Sequence, residues 1–571
     1  MNRIISIAEA VICIIFFLSS CSHENLPNTY IGDTMTTNDF DTSFTEVQSA
    51  EQIYRNTSFS PTVYNTEEIK NANETKAGSF EKWKNEVFKN NYNNDDPTDN
   101  AVINSPFHSL RINGITVPVY TARCGKGAHS FAWVDITSES DFILKAELEL
   151  TQPFKKCVIL PESREVIPEV NGASIVSYIT DTGSFTYTFS KNDTATDPSY
   201  MPLTLMVSRR SELNIPKNYN VVNIQPGYHD NDELEFKDQS TVYVIKEGFH
   251  SISSIGLPSN SILYIEQGAY IKAEDRINAD GSHNTLTAIH ADNCSNVKII
   301  SRGLLDCGKL QGGDNKYKHV VNTARSKNVT IEGLTIINSN TWTICAYNSE
   351  NVKINNNLLL SYRTYSDGIM MSECINSSGR YNFVRTGDDA IEFKGTGWWN
   401  GTGTVGSNCI YEFNDIWTDK GAGYCLTWES TCSMKNMIFR NNTIGFAQPT
   451  WADRNTALDC LLGSNGSSKW SDITFENIEI YHVISPNVIN MQIMGNGGNL
   501  NDITFRNLTV HSKEESTHAF RMHFSAENGS FSDIKLENIN IGGKLITKDD
   551  ISDKTLFKNE AGEFFNSFSV N

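Results

Sequence analysis

A spacing of apolar residues that recurs about every 30 positions most constrains how the C-terminal half of this chain can fold. In each copy, two apolar residues are separated by one polar residue. A second pair with the same spacing starts three positions after the first pair ends. The separation between the starts of the last three copies is 30 and then 31 residues. The copies with this spacing are Val329, Ile331, Leu334 and Ile336; Ile473, Phe475, Ile478 and Ile480; Ile503, Phe505, Leu508 and Val510; and Ile534, Leu536, Ile539 and Ile541. A period of two residues indicates strands and argues against helical repeats.

Each copy is too short to bury its own apolar residues, so neighbouring copies must stack. Stacking as parallel strands produces a right-handed β-helix with an interior of Ile, Leu and Val. An asparagine follows at the same place in three copies, at Asn477, Asn507 and Asn538, which predicts amide ladders at the bends. A leucine-rich horseshoe is the alternative architecture, but the copies lack its Leu-x-x-Leu-x-Leu pattern. We predict the β-helix over residues 260–571.

The residues before the repeats divide by composition. Short alternating runs with turn signals between them predict an antiparallel β-sandwich over residues 101–215. Residues 216–259 are predicted to be a connector. Residues 22–100 are rich in Asn, Thr, Ser, Asp and Glu, which is typical of a flexible polar stalk. The predicted fold class is therefore all-β, with an N-terminal β-sandwich followed by a right-handed parallel β-helix.

The N-terminus, residues 1–21, has the features of an export signal. Arg3 precedes a short apolar core over residues 11–18. The end of this segment, Leu18-Ser19-Ser20-Cys21, is similar to a bacterial lipoprotein processing box, which predicts cleavage before Cys21 and acylation of its new amino terminus. We therefore expect the chain to be anchored by lipid to the bacterial outer membrane. An ordinary secretory signal and a short membrane anchor remain alternatives.

Charge and cysteine spacing limit the partners. The formal net charge of −20 disfavours nucleic acids and polyanions, which bind basic surfaces, and suits a neutral substrate. Ten cysteines remain when those of the signal segment are removed, and they form neither a Cys-x-x-Cys pair nor a Cys/His cluster with zinc spacing. We expect no metal and no cofactor.

Three aspartates in adjacent copies of the repeat are the candidate catalytic residues. Aligning Ile369 with Ile391 as inward-facing residues places Asp367 and Asp389 at equivalent positions, roughly 4.8 Å apart if the strands stack. Asp388 lies one residue earlier, beside a glycine that can bend the chain. Carboxylates this close raise the pKa of one member, which suits an acid beside a base. The alternative is that these residues only form Asp-Gly and Gly-Asp turns.

The segments 338–344, Ser366-Asp367-Gly368 and Thr386-Gly387-Asp388-Asp389 resemble the β-helix glycosidase clan that includes polygalacturonases. The resemblance is closer to the dextranase/isopullulanase family, glycoside hydrolase family 49, whose architecture also places a β-sandwich before the β-helix. Polygalacturonases carry a Gly-His-Gly and an Arg-x-Lys after the paired aspartates. This chain has no Gly-His-Gly, and Arg440 is followed by two asparagines. The resemblance therefore implies a neutral α-glucan, such as dextran or pullulan, rather than pectin.

The same resemblance implies hydrolysis with inversion of configuration. Asp388 matches the general acid of the family, and Asp367 and Asp389 match the pair that holds and activates water. Inverting enzymes separate acid and base by roughly 6.5–9.5 Å, and one coil spacing plus the offset to Asp388 is compatible with this.

Other residues near these coils are weaker candidates for binding the polysaccharide. Aromatic residues Trp398 and Trp399 could stack on sugar rings, or they could be a structural pair. Polar groups that could bond sugar hydroxyls, or lie on a solvated face, are Lys394, Lys420 and Glu429. Trp451 lies in an irregular insertion of the kind that forms groove walls. Two other classes of function remain open: a β-helix hydrolase or lyase acting on a pectin-like polysaccharide, and a non-catalytic surface protein that binds glycans.

Overall fold

The computed structural model describes most of the chain from residue 102 onward and short pieces before it. The described residues are 53, 57–64, 69, 102–125, 127–138, 141–192, 200–209, 213–229, 234–312, 318–399, 404–448, 456–463, 468–485, 487–494, 497–511, 521–554, 556–562 and 567–571. The predicted signal segment with Cys21, most of the predicted stalk, and Trp451 lie outside them. Among the described residues, no helix has the length and apolar character needed to cross a membrane.

The N-terminal domain is a sandwich of two sheets. Its strands are β1 Phe59–Pro61, β2 Ile103–Asn104, β3 His108–Ile112, β4 Ile115–Val117, β5 Tyr120–Cys124, β6 Gly127–Ile136, β7 Leu144–Leu150, β8 Lys156–Leu160, β9 Glu169–Asn171, β10 Ser174–Ile179, β11 Gly183–Ser190 and β12 Leu203–Arg209. One sheet has the order β2-β5-β6-β12-β11-β8 with β1 beside β6, and the other has the order β4-β3-β7-β10-β9. The pairing is antiparallel except between β6 and β12, which run parallel. A 3-10 helix spans Glu162–Arg164.

The prediction of a polar stalk up to residue 100 is wrong for residues 57–64. Strand β1 pairs with β6, with Phe59 opposite Ile136. Tyr64 is buried and donates a hydrogen bond of 3.0 Å to the hydroxyl of Thr335 in the C-terminal domain. These few aromatic residues in a polar segment gain enough from burial to join the folded body, which average composition does not reveal.

The C-terminal domain is a parallel β-helix. Its strands are β13 Asn220–Ile224, β14 Gly227–Tyr228, β15 Thr241–Ile245, β16 Gly248–Ile252, β17 Ile255–Gly256, β18 Ser261–Ile265, β19 Ala269–Ala273, β20 Arg276–Ile277, β21 His283–Asn284, β22 Ile289–His290, β23 Ser295–Ser301, β24 Leu304–Asp306, β25 Val321–Ala324, β26 Lys327–Glu332, β27 Thr335–Ile337, β28 Ile344–Tyr347, β29 Glu350–Asn355, β30 Leu358–Leu360, β31 Ile369–Ser372, β32 Ser378–Arg380, β33 Phe383–Thr386, β34 Ile391–Lys394, β35 Val405–Glu412, β36 Asp415–Thr418, β37 Tyr424–Leu426, β38 Ser433–Ala447, β39 Leu458–Leu462, β40 Lys469–Ile480, β41 Asn487–Ile493, β42 Asn499–Val510, β43 Arg521–Ala526, β44 Ser530–Ile541, β45 Lys544–Leu545, β46 Phe557–Glu560 and β47 Phe568–Val570. A second 3-10 helix spans Lys548–Ser552. The all-β prediction, a sandwich followed by a β-helix, is confirmed.

Strands from successive coils form three parallel ladders. One ladder contains β15, β18, β23 and their successors up to β44, and a second contains β16, β19, β24, β27, β30, β33 and β36. Both belong to one sheet of 22 strands, because the two ladders merge from β38 onward. The third ladder is a separate sheet of 11 strands, in the order β17-β22-β25-β28-β31-β34-β37-β39-β41-β43-β46. We call the second ladder the sandwich-facing ladder and the third the groove ladder.

The β-helix begins earlier than predicted, because residues 216–259 contain strands of its sheets. Asn220 in β13 pairs in parallel with Thr241 in β15, and Val242 in β15 pairs with Ile262 in β18. The coil from Val242 to Ile262 is 20 residues long, shorter than the later coils of about 30. Because the period is shorter, the spacing that identifies the later copies is not visible there. The prediction of a connector is therefore wrong.

The interior and the bends of the β-helix follow the predicted pattern. Ile473, Ile503 and Ile534 are in register in β40, β42 and β44, and all are buried. The predicted amide ladder is present: the side chain of Asn507 donates to that of Asn477 at 2.9 Å, and Asn538 donates to Asn507 at 2.9 Å. These asparagines have positive φ, which suits a residue that tolerates the left-handed conformation.

Substitution of Asn507 tests how the ladder stabilises the domain. We expect Asn507→Ala to lower the free energy of unfolding by about 2 kcal/mol, because it removes two ladder hydrogen bonds and places a Cβ-bearing residue without a compensating amide at φ 52°. Asn507→Gly is the matched variant: it loses the same bonds but accepts the backbone conformation, so it should lose only about half as much. Urea unfolding measures both. Equal losses would show that backbone conformation contributes nothing at this position.

The sandwich packs against the sandwich-facing ladder of the β-helix. One buried apolar cluster joins Tyr120, Phe131 and Trp133 of the sandwich to Phe383 and Trp417 of β33 and β36. A buried ion pair also crosses the interface, with Arg302 donating to the carboxylate of Asp135 at 2.8 Å. The contact therefore combines an apolar centre with a paired charge, the form in which a buried charge is tolerated.

Candidate active site

The three predicted aspartates lie on turns that lead into the groove ladder. Asp388 and Asp389 occupy the turn between β33 and β34, residues 387–390, which we call the catalytic turn. Asp367 precedes β31 in the turn over residues 361–368, the preceding turn. The register aligns Ile369 with Ile391, and the amide of Gly368 donates to the carbonyl of Asp389 at 2.8 Å. Asp367 and Asp389 therefore occupy equivalent places in successive coils, as the sequence predicts.

A close backbone approach explains the glycine of the catalytic turn. A Cβ at Gly387 would overlap the carbonyl oxygen of Arg363 and crowd the backbone of Tyr362 in the preceding turn. The amide of Gly387 also donates a 3.0 Å hydrogen bond to the hydroxyl of Ser366 in the preceding turn. Glycine lets the chain bend sharply here. Asp388 therefore does not follow the strand alternation that would point its side chain away from that of Asp389.

Backbone amides hold two of the three carboxylates. Asp388 accepts hydrogen bonds from the amide of Tyr365 at 3.2 Å and from the amide of Asp389 at 3.1 Å. Asp389 accepts one from the amide of Ala422 at 2.7 Å. The turn that supplies this last amide, residues 419–423, follows β36, and we call it the following turn. The catalytic turn is therefore fixed from both sides by its neighbours in the stack.

The aspartates are almost buried, yet each keeps some contact with solvent. The exposed fraction is 4% for Asp367 and 8% for both Asp388 and Asp389. One oxygen of Asp367, Oδ1, has no hydrogen-bond partner among the described residues. A buried acceptor without a partner is costly, so this oxygen is suited to accept a hydrogen bond from a water molecule or a sugar hydroxyl.

Burial raises the pKa of all three carboxyl groups, and repulsion from neighbouring carboxylates adds to the rise. For Asp388, burial and then the charge of Asp389 raise the pKa to about 7. Burial, followed by Asp388 and Glu392, raises the pKa of Asp367 well above its usual range. Burial also raises the pKa of Asp389, but Lys394 and the Ala422 amide oppose that rise. A shared proton near neutral pH is the condition for an acid working beside a base.

Sequence reasoning missed a fourth carboxylate, that of Glu392. It is fully buried, and burial raises its pKa to about 8 although Lys394 lowers it. Thr427 donates a 2.9 Å hydrogen bond to Oε2, and Oε1 has no hydrogen-bond partner within the described part of the chain. The sequence holds a signal that would have found it: Glu392 lies between inward-facing Ile391 and Phe393, so it must point outward beside the aspartates.

The structure brings Lys394 into the site and excludes the solvated position considered for it. Its side chain is 3% exposed, and the Nζ atom lies 3.6 Å from Asp367, 3.2 Å from Glu392 and 2.9 Å from Glu429. The ammonium also lies 3.9 Å from the ring centre of Trp342. The surrounding carboxylates raise the pKa of Lys394 although burial lowers it, so Lys394 is a permanent cation among several acids.

The remaining predicted groups lie around this centre. Lys420, in the following turn, is buried and donates a 2.9 Å hydrogen bond to the hydroxyl of Thr364 in the preceding turn, so it too is not on a solvated face. Glu429 pairs with Lys394 and keeps 36% of its side chain exposed. It is therefore the member of this group most accessible to solvent.

The predicted tryptophan pair belongs to an aromatic cluster beside the acids. Trp398 stacks on Trp342 with ring centres 5.1 Å apart, and Trp399 lies 5.9 Å from Tyr347. His319 also stacks on Trp342, with ring centres 5.0 Å apart. Trp398 and Trp399 are half-buried, so each keeps part of its surface available to a ligand. The partners Trp342 and Tyr347 were not predicted, because they come from earlier coils.

One group in this site has the composition of a metal site. Asp389, Glu392 and Cys425 place candidate ligand atoms within 4.8 Å of one another, the one such group among the described residues. Lys394 already supplies positive charge 3.2 Å from Glu392. Burial also raises the pKa of the Cys425 thiol well above its ordinary value, which disfavours the thiolate that binds metals. The group fits a metal ion poorly.

Comparison with known proteins gives structural matches only. No family model matches the chain, and no curated protein does. Solved structures that are similar include Dex49A from Penicillium minioluteum, with a TM-score of 0.60, 12% identity, and coverage of 84% of this chain and 96% of that one. Others are a polygalacturonase from Erwinia carotovora, with TM-score 0.44, 16% identity and coverage of 63% and 99%, and a family 28 exopolygalacturonase from Yersinia enterocolitica, with TM-score 0.38, 13% identity and coverage of 70% and 97%. The likeness to Dex49A shows that the two chains share a fold.

Proposed function

We propose that this protein is a glycoside hydrolase that cleaves α-glucosidic bonds of a neutral glucan, such as dextran or pullulan, with inversion of configuration. The observation that carries this proposal is the convergence of Asp367, Asp388 and Asp389 at one corner of the β-helix, with their pKa values raised. The fold shared with Dex49A supports it, as does the resemblance of the aspartate motifs to the dextranase/isopullulanase family.

In this proposal Asp388 is the general acid. With its pKa near 7 it holds a proton at mildly acidic to neutral pH and delivers it to the glycosidic oxygen as the bond breaks. Asp389, whose carboxylate is stabilised by the Ala422 amide, is suited to remove a proton from the attacking water. Asp367 holds the same water through its unpartnered oxygen. Direct attack of that water on the anomeric carbon inverts the configuration.

The charge balance of the site favours a neutral sugar over a uronate. The nearest buried cation, Lys394, already lies within 4 Å of Asp367, Glu392 and Glu429. Beside Lys394 a uronate carboxylate would therefore meet more negative than positive charge. Hydroxyl groups of a glucan could instead bond Glu429, and its sugar rings could stack against Trp398 and Trp399. We also propose that Lys394, Lys420 and Trp451 contribute to substrate binding, with Lys394 acting through the carboxylates that it pairs with.

A panel of polysaccharides scored for new reducing ends tests the proposal. The panel contains dextran, pullulan, an α-1,3-glucan and polygalacturonate, and proton NMR of the first product then reports its anomeric form. Release from a glucan with the inverted anomer first supports the proposal. Release only from polygalacturonate, formation of an unsaturated product absorbing in the ultraviolet, or binding without any release would overturn it in favour of the other polysaccharide-active or glycan-binding classes.

The pH dependence of the reaction follows from the acid role. We expect kcat/KM to fall as the pH rises above about 7, by about tenfold per pH unit, because Asp388 must keep its proton in the free enzyme. Initial rates on the best glucan, measured between about pH 4 and pH 9, give the profile. A rate that stays constant across the alkaline half of this range would remove Asp388 from the acid role.

We also propose that the protein acts at the bacterial outer membrane, tethered by acylation of Cys21. The sequence Leu18-Ser19-Ser20-Cys21 after a short apolar core supports this. Metabolic labelling with a radioactive fatty acid tests it: label in the wild type and none in Cys21→Ser supports the anchor, and equal labelling of both proteins contradicts it.

A further inference from the structure

The catalytic turn is held between two neighbouring turns, and both neighbours contact one hairpin of the sandwich. The hairpin joins β5 and β6 through Gly125. The preceding turn packs on one side of the catalytic turn, since the carbonyl of Arg363 blocks any side chain at Gly387. The following turn packs on the other side, since a Cβ at Gly421 would overlap the backbone of Asp388 and Asp389.

The hairpin contacts the following turn so closely that a side chain at Gly125 would collide with it. Gly125 has a φ of +50°, and a methyl group there would overlap the carboxylate of Asp419, the first residue of the following turn. That carboxylate is held by Arg385 in β33, which donates to it at 2.9 and 3.0 Å. Arg385 in turn donates to His129 of the sandwich at 3.2 Å. The tip thus meets a buried charge pair whose arginine, Arg385, lies two residues before the catalytic turn.

The same hairpin contacts the preceding turn through Arg123. Its guanidinium lies 3.7 Å from the ring centre of Tyr362, and both residues are buried. The two flanking turns are also tied to each other, because Lys420 donates to Thr364 across the catalytic turn. A displacement of either turn would therefore move the backbone amides that bond Asp388 and Asp389.

We propose that the β5–β6 hairpin of the sandwich is a positioning element for catalysis, which sets the place of Asp388 and Asp389 through the two turns that flank them. The sandwich would then be part of the catalytic apparatus and not a separate binding module. This inference rests on the proposed hydrolase function. In this proposal Arg123 acts through Tyr362 and Gly125 acts through Asp419, so both are positioning residues.

Two alanine variants form a matched test. Gly125 and Gly172 both lie in sandwich turns with positive φ, +50° and +62°, but a Cβ at Gly172 meets no atom within 4 Å. Both substitutions impose similar backbone strain, and only Gly125→Ala pushes on the following turn. We expect Gly125→Ala to lower kcat by about 100-fold with KM changed less than about threefold, since small misplacements of catalytic groups have effects of this size. Gly172→Ala should keep the wild-type kcat.

Two further readouts separate positioning from simple loss of folding. In Gly125→Ala the alkaline limb of the pH–rate profile should move to lower pH, because a loosened turn exposes Asp388 to solvent. Arg123→Leu, which removes the contact with Tyr362 without adding bulk, should lower kcat by about tenfold, and Arg123→Lys should recover part of that loss. Equal kcat and equal pH profiles in Gly125→Ala and Gly172→Ala would overturn the inference.

Failure of the inference is distinguishable from failure of the proposed function. If the wild type hydrolyses glucan and Gly125→Ala does so equally well, the hydrolase stands and the positioning role falls. If the wild type hydrolyses nothing in the panel, the proposed function is wrong. Crystal structures of the two alanine variants then test the positioning role by itself. A shift of the catalytic turn by about 1 Å in Gly125→Ala and none in Gly172→Ala would support the mechanical link, and unshifted turns in both would overturn it.

Discussion

Asp388→Asn is expected to lower kcat on the best glucan by about 10³-fold while leaving the fold intact, because it removes the proton donor and keeps the shape of the side chain. The substituted amide can still accept a hydrogen bond from Tyr365, so the catalytic turn should keep its conformation. The Asp388→Asn variant should also be at least as stable as the wild type at about pH 8, because it no longer buries a carboxyl group whose pKa is raised to about 7.

The sign of this stability effect follows from the raised pKa. A carboxyl group whose pKa rises on folding favours the folded state below its unfolded pKa, and that contribution is lost as the pH rises through the folded value. For Asp388 this window runs from the ordinary aspartate pKa of 3.8 to about 7. Thermal unfolding of both proteins at acidic and alkaline pH measures the difference, and a variant that is much less stable at alkaline pH would contradict it.

The leaving group distinguishes an acid from a water-activating residue. A glucosyl fluoride substrate needs little help from an acid, so Asp388→Asn should hydrolyse it far better, relative to wild type, than it hydrolyses glucan. Asp389→Asn is the matched control, because its defect in water activation should affect both substrates alike. If both variants respond equally to the better leaving group, the roles assigned to Asp388 and Asp389 are wrong.

Lys394→Met is expected to destabilise the protein by about 3–5 kcal/mol at neutral pH, the usual result of removing one partner from a buried charge cluster. The ammonium of Lys394 lies 3.2 Å from Glu392 and 3.6 Å from Asp367, both buried. Without it, these carboxyl groups must stay protonated in the folded protein, so the deficit should be small near the unfolded pKa of Glu392, 4.5, and grow as the pH rises. Activity should fall as well, because the ionisation of Asp389 loses its support.

Two comparisons make this prediction specific. Lys327→Met removes a lysine that also pairs with a glutamate at 2.9 Å, but there both side chains are about half exposed, so the loss should stay below about 1 kcal/mol. Adding Glu392→Gln to Lys394→Met should restore part of the stability, because it removes one of the stranded acids. Urea unfolding at two pH values gives all the differences. Equal losses for Lys394→Met and Lys327→Met would show that burial does not strengthen the Lys394 cluster.

Most of the β-helix was predictable because the spacing of its inward-facing residues repeats along the sequence. A strand whose neighbours are other copies of itself must repeat its inward-facing residues, so the series from Ile473 to Ile541 reports the stacking directly. The alignment of Asp367 with Asp389 followed from the same period. The first coils escaped prediction because they are shorter, and strand β1 because three residues cannot show a period.

The amino-acid sequence by itself determined that this chain stacks coils, which side chains face the interior, and that three acids fall at one corner of the stack. Only the tertiary structure decided what surrounds those acids. Lys394, Glu392 and Glu429 form one charge cluster because strands β34 and β37 adjoin, and Trp342 reaches it from two coils earlier. The sandwich hairpin reaches the flanking turns from more than 230 residues away in the chain. A local pattern records only the period that neighbouring coils share, whereas contacts between distant segments depend on how the completed domains pack.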